Sequence, residues 1–178
     1  MYQELQAVYP EARCVHRLDY ETSGLMVFAR GKTAERHLFE QFRKRLVHKE
    51  YQAICVGSPP KNSGCIQFPL SPEHIHSPKM TYLHSNGKQA TTHWHVNQRF
   101  AEHWIANLKP ETGRRHQLRV HLMAIGSPIV NDPLYGTVDT SLSRMYLHAT
   151  LLSFLHPITK NRLVFNSASN FISKIQLI

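Results

Sequence analysis

Cysteine pairs, acidic side chains and long apolar runs are all scarce in this 178-residue chain, and each shortage narrows what it can be. Cys14, Cys55 and Cys65 are odd in number and form no C-x-x-C pair, so neither a disulfide framework nor a zinc knuckle is indicated. A reducing, cytoplasmic setting is expected. No apolar run approaches the roughly 20 residues of a membrane-spanning helix, and no signal-peptide apolar core opens the chain. Metal-ligand spacing is absent too. The 13 histidines include the pairs His74/His76 and His93/His95, but there is no H-E-x-x-H and no carboxylate at ligand spacing. On a strand, His93 and His95 would share one face, more often a surface than a ligand set. Neither a metal nor a cofactor is expected.

What is present is positive charge. Lys and Arg number 21 against 12 Asp and Glu, giving a formal charge of +9. Such a surplus suits a polyanionic partner, because each phosphate neutralised by Lys or Arg releases condensed counterions. Hydrophobic residues make up 42%, ordinary for a globular domain, and the length suits one buried core. With no internal repeat or low-complexity tract, residues 1–178 are expected to form a single domain and to act as a monomer.

Leu5, Val8 and Tyr9 fall at helical spacing, and Pro10 ends the pattern. The apolar run Leu25–Ala29 predicts a strand buried on both faces. Thr33 is placed to cap a helix reaching about Val47, with Leu38, Phe42 and Leu46 as its core stripe and Phe39 widening it. Its outer face carries Arg36, Arg43, Lys44 and Arg45. Strands are predicted over 50–56 (ended by Ser58, Pro59 and Pro60), 65–68, 80–84, 91–96, 104–108, 146–155 and 163–165. A second helix is predicted from Arg114 to Ile125, capped by Thr112 and stopped by Gly126. Strands outnumber helices and follow one another directly, so the chain reads as α+β with a mainly antiparallel mixed sheet flanked by helices.

Two segments concentrate chemistry. Residues 16–30, HRLDYETSGLMVFAR, place one carboxylate, Asp19, in a charged loop at the mouth of an apolar run. Arg17 could simply pair with Asp19 or Glu21. Residues 111–122, ETGRRHQLRVHL, put Arg115 and Arg119, and Gln117 and His121, four apart on the second helix. Arg114 and Arg115 sit near its N-terminus, where like charge opposes the helix dipole unless an anion such as phosphate binds. A surface helix with incidental basic residues is the alternative.

Both segments resemble known motifs. The first is similar to the HRLD-x-x-TSG-L signature of the RluA family of RNA pseudouridine synthases, and the second to its T-G-R-x-H-Q-[LI]-R-V-H pattern. Gly126 to Gly136 resembles the family's GHPI-x-GD-x-x-YG, with Ser127 in place of His and Asn131 in place of Gly. Lys49-Glu50-Tyr51 resembles its K-x-Y. The resemblance implies a pseudouridine synthase catalytic fold without an S4-like module, and conversion of a uridine to pseudouridine in tRNA, rRNA or both. That isomerisation involves no net redox change and needs no cofactor.

By the same resemblance Asp19 is the catalytic carboxylate and Arg119 the cation that keeps it ionised, since desolvation alone would favour the neutral acid. Tyr51 supplies an aromatic face for the uracil and a phenol that could take the C5 proton. Without the resemblance, Tyr51 reads as core. Arg17 is implied to enter the RNA helix as the base leaves it. Thr22, Arg114, His116 and Gln117 are candidates for substrate, phosphate or loop contacts.

The family's hydrophobic-NKP-x-G segment has no counterpart in residues 1–15, so the chain is expected to be N-terminally short and its activity in question. A non-catalytic RNA-binding relative is therefore one rival. An RNA glycosidase or nuclease is the other, although no second carboxylate is expected to serve it.

Overall fold

A computed structural model describes residues 2–59 and 61–171. The chain begins with helix α1 (Tyr2–Val8), then β1 (Ala12–Cys14), β2 (Ser23–Gly24), β3 (Phe28–Arg30) and helix α2 (Gly31–Arg43). Five strands follow: β4 (His48–Val56), β5 (Ser63–Pro72), β6 (Met80–Thr81), β7 (Lys88–Arg99) and β8 (His103–Pro110). Helix α3 (Gln117–Ala124), β9 (Leu147–Leu155) and β10 (Arg162–Asn166) complete the order. The main sheet runs β10-β9-β4-β8-β7-β5-β6, antiparallel throughout, with β2 added in parallel to β9. β1 and β3 form a separate antiparallel pair. The fold is thus α+β with a mixed, mainly antiparallel sheet, as the order of elements predicts.

Both larger helices cover the same face of the sheet. Lys49, Tyr51, Ala53 and Cys55 alternate along β4, and Lys49 opposes Leu152 of β9; cross-strand partners share a face. Leu118 and Leu122 of α3 pack with Ala53, Cys55, Leu108 and Trp104, while Leu38 of α2 packs with Leu152 and Phe154. A cleft is left between the helices, floored by the start of β4. On the other face Ile54, Ile105, Val130 and Tyr146 close over Phe171.

Several expectations are corrected. Leu25–Ala29 is not one strand buried on both faces: only Ala29 is buried, and the chain passes from β2 through an irregular stretch into β3. Helix α2 starts at Gly31 without a side-chain cap from Thr33, because the pairing of Arg30 with Ala12 carries the chain straight into it. It ends at Arg43, short of the predicted Val47. Arg45 adopts the left-handed conformation (φ 58°), its N–H bonding the Phe42 carbonyl while the Leu46 N–H bonds that of Gln41. Those two bonds make a Schellman stop, normally given to glycine. Leu46 therefore leaves the core stripe and is half exposed, as is Phe39. Gly126 ends α3 by the same device, as predicted (φ 76°).

α3 begins at Gln117, later than predicted, and Thr112 is not its cap. The Thr112 hydroxyl instead donates to Gln117 Oε1 (2.7 Å) and accepts from the Thr91 N–H (3.0 Å). Arg115 thus lies outside the helix, bonded to the carbonyls of Ser77 and Pro78, and does not pair in register with Arg119. Nor do Gln117 and His121 present a donor-rich surface; both are buried against Thr92 of β7. Asn131 is left-handed (φ 58°), a conformation asparagine tolerates, which explains its standing in for glycine. The strand over 50–56 extends to His48; Pro60, expected to help end it, lies outside the described residues.

Candidate active site

The loop that carries Asp19 is fixed at both ends. At its start the His16 ring stacks on Phe42 (4.7 Å between centroids) and Nε2 accepts the Val27 N–H (3.0 Å). Burial, with Lys49 nearby, lowers the His16 pKa to about 4, so the ring is neutral and free to accept that bond. At its end Gly24 (φ 106°) lies against β9 so closely that a Cβ would fall 2.3 Å from the Ala149 carbonyl oxygen. Only glycine fits that position. Ser23 adds a side-chain anchor, its Oγ 2.7 Å from His148 Nδ1 and bonded by Arg144. Between the anchors the Thr22 N–H bonds the Asp19 carbonyl (2.9 Å), closing a turn with Tyr20 at its tip.

Arg119 meets Asp19 from below. Its Nη1 lies 3.8 Å from Asp19 Oδ2, while Nε and Nη2 make a bidentate pair with Asp132 at 2.8 and 2.6 Å. Burial opposes the charge on Arg119, but the bonds to Asp132 and the attraction of both aspartates outweigh it and hold its pKa above the ordinary arginine value. The Tyr135 ring lies under the guanidinium, 5.1 Å from centroid to Cζ. Asp132 is fully buried and also accepts the N–H groups of Leu134 and Tyr135. Asp19 keeps 20% of its side-chain surface open, toward a cavity of about 530 Å³.

Leu118, Leu147 and Tyr51 floor that cavity. Burial, and then the Asp19 charge, push the Tyr51 phenol up to about 12, so it holds its proton at neutral pH. Arg17, Thr22, Arg114 and Gln117 also line the cavity, so six of the eight residues singled out from sequence meet there, while Arg119 reaches it through Asp19. Thr22 Oγ1 is shielded from water with no hydrogen-bond partner among the described residues. Arg17 is exposed at the mouth. The Gln117 amide is committed to Thr91, Thr92 and Thr112. His116 points elsewhere: its Nδ1 lies 2.7 Å from the Tyr135 hydroxyl, behind Arg119.

Sequence reasoning gives no role to Asp132, Lys49 or Arg45. Asp132 could be picked out as the acid of the D-x-x-YG run. Lys49 lies two residues before Tyr51 on the same strand face and lines the cavity, its pKa lowered by burial. Arg45 reaches the cavity only because α2 stops early. A further correction concerns the second carboxylate. Glu111 does line the cavity, but its Oε1 lies 2.7 Å from Nε2 of His93, an exposed residue of β7.

The family model for RNA pseudouridylate synthase matches residues 1–124. The chain belongs to this family. It is 46% identical over 164 residues to the dual-specificity RNA pseudouridine synthase RluA of Vibrio vulnificus, covering 88% of this chain and 66% of that protein. With the RluA of Escherichia coli K12 it shares 39% identity over 170 residues, covering 94% and 78%. Among solved structures, human RNA pseudouridylate synthase domain containing 1 superposes with a TM-score of 0.83 at 28% identity, covering 98% of this chain and 76% of that one. Human RNA pseudouridylate synthase domain containing 4 gives 0.72 at 28% identity, covering 88% and 71%. The pseudouridine synthase fold is therefore common to this chain and both neighbours.

Proposed function

We propose that the chain is an RNA pseudouridine synthase that isomerises a uridine in a tRNA or rRNA stem-loop, with Asp19 as the catalytic carboxylate. One observation carries the reading: the carboxylate of Asp19, backed by a buried arginine, faces a closed-floored cavity beside an aromatic ring. In a family of RNA isomerases that arrangement suits a uracil lifted out of its stack.

Asp19 acts next to the sugar, either adding to C1′ or taking the C2′ proton, as the N1–C1′ bond breaks and its electrons leave with the uracil. The base turns within the cavity and C5 bonds to C1′, as the carboxylate either leaves C1′ or returns its proton to C2′. The C5 proton is then lost and N1 gains one, so the change balances without an oxidant or reductant. Arg119 stabilises the Asp19 charge; it is held rigid by Asp132 and costs no reorganisation during the reaction. Tyr51 offers its ring face to the uracil. Because its phenol keeps its proton, the final C5 proton passes to another base or to water. Thr22 lines the cavity beside Asp19, where the base or sugar would lie. Arg17, exposed at the mouth, enters the RNA helix as the base leaves it, Arg114 takes the RNA backbone, and His116 and Gln117 brace the start of α3.

The test is release of tritium from RNA labelled at uridine C5, with the nucleosides analysed alongside. Release accompanied by pseudouridine, with no free uracil and no strand breaks, supports the reading. RNA binding without release would make the chain a non-catalytic relative. Free uracil would make it a glycosidase, with Glu111 as the acid to examine next.

A further inference from the structure

Tyr20 has no use inside the protein. Its surface is 98% exposed, the most open of the large apolar side chains among the described residues. It sits at the tip of the Asp19–Thr22 turn, one residue from the catalytic carboxylate. An exposed aromatic on a mobile loop would mean little. This loop is not of that kind, because the Gly24–Ala149 backbone approach and the Ser23–His148 hydrogen bond fix it onto β9. A ring is therefore held out in water at a set place beside the cavity mouth. The cavity that the Asp19 turn borders is lined by cations: Arg17, three residues before Tyr20, and Arg45 and Arg114 on its walls.

An exposed ring on an anchored loop beside a cation-lined cavity matches how proteins hold unpaired nucleic acid, with cations tracking the phosphates and aromatics taking the faces of bases. We propose that Tyr20 is a stacking platform for an unpaired base that neighbours the extruded uridine in the RNA. This rests on the pseudouridine synthase reading and adds a selectivity to it: the substrate must offer a second unstacked base beside the target. The ring, not the phenol, does the work, since any base presents a π-face to it.

The full chain and its Tyr20→Ala, Tyr20→Phe and Tyr20→Trp variants are compared in two assays. One is tritium release from C5-labelled uridine in an RNA hairpin whose loop is single-stranded. The other is binding of the same hairpin carrying 2-aminopurine next to the uridine, whose fluorescence is quenched when it stacks. Tyr20→Ala should raise KM about tenfold, the size of one base–aromatic stack, with the loss falling on KM rather than kcat. It should also abolish the quenching, while Phe and Trp retain both. Unchanged KM and quenching in Tyr20→Ala would overturn the inference, as would a loss in Tyr20→Phe equal to that in Tyr20→Ala. If the wild-type chain releases no tritium, the isomerase reading fails, but the quenching series still decides the role of Tyr20. Because the side chain is exposed, all three variants should melt with the wild type.

Discussion

Two carboxylates share Arg119, and they occupy opposite kinds of environment. Asp132 lies in the sealed region behind α3, fully buried, with both oxygens committed to the guanidinium and to two backbone N–H groups. Asp19 lies in the open region between α2 and α3, farther from the same guanidinium at 3.8 Å and in contact with the cavity. The difference separates scaffold from chemistry. A carboxylate that accepts four hydrogen bonds cannot attack anything, but it can hold a cation still. One that is only partly neutralised remains available to a substrate. On the proposed reading, the protein keeps Asp19 available for reaction by satisfying its arginine somewhere else.

Exchanging one atom on the open side should give the largest effect. Asp19→Asn keeps the shape of the loop and removes the proposed nucleophile or base, so turnover should fall by at least about 10³-fold. Hairpin binding and melting temperature should stay near wild type, because the side chain is partly exposed and its carbonyl anchors the turn through the backbone. Steady-state tritium release and a thermal melt together check this. If the Asp19→Asn protein turned over at the wild-type rate, Asp19 would not be the catalytic group.

On the sealed side the order of effects should reverse, with stability lost first. Asp132→Ala strands a buried guanidinium and two backbone N–H groups. Breaking a buried pair from one side costs about 3–5 kcal/mol. For a chain of this length that lowers Tm by roughly 10 °C. Activity should fall too, because Arg119 would then be free to swing onto Asp19. Urea unfolding of the two variants side by side is the sharpest form of the comparison. Equal stabilities would mean that the division into scaffold and chemistry is wrong.

The open region is far more legible in the sequence than the sealed one. Asp19, Tyr51 and Arg119 stand out through the motifs' resemblance to the family, and the alternation of apolar residues places most strands to within a few positions. Local signals fail where tertiary pairing overrules them. Thr33 and Thr112 both look like helix caps, yet β3 feeds α2 directly and β7 claims the Thr112 hydroxyl. Arg45 occupies a stop that residue statistics reserve for glycine, and so a rim cation reads as part of an outer helix face. Asp132 escapes notice because its importance depends on a bond to Arg119, thirteen residues away, that spacing does not announce.

Acid should produce the smallest effect, and it asks which region yields first. His16 supports the open loop and His121 joins α3 to β7 through Thr92; burial lowers each from 6.5 to about 4. A depressed histidine is neutral in the folded state, so between those two values the unfolded chain binds more protons. Stability must therefore rise with pH across the window, and be lost as pH falls from about 6.5 toward 4, levelling off below. Replacing His16 with glutamine keeps an acceptor for the Val27 N–H but removes its proton. The slope of melting temperature against pH should become shallower, by up to one proton's worth of linkage, while the part owed to His121 remains. Hydrogen exchange measured across the same window should then show residues 16–24 protected to lower pH in His16→Gln than in the wild type. If acid instead opened α3 first in both proteins, His121 would govern the acid limit, and the sealed region would be the weaker of the two.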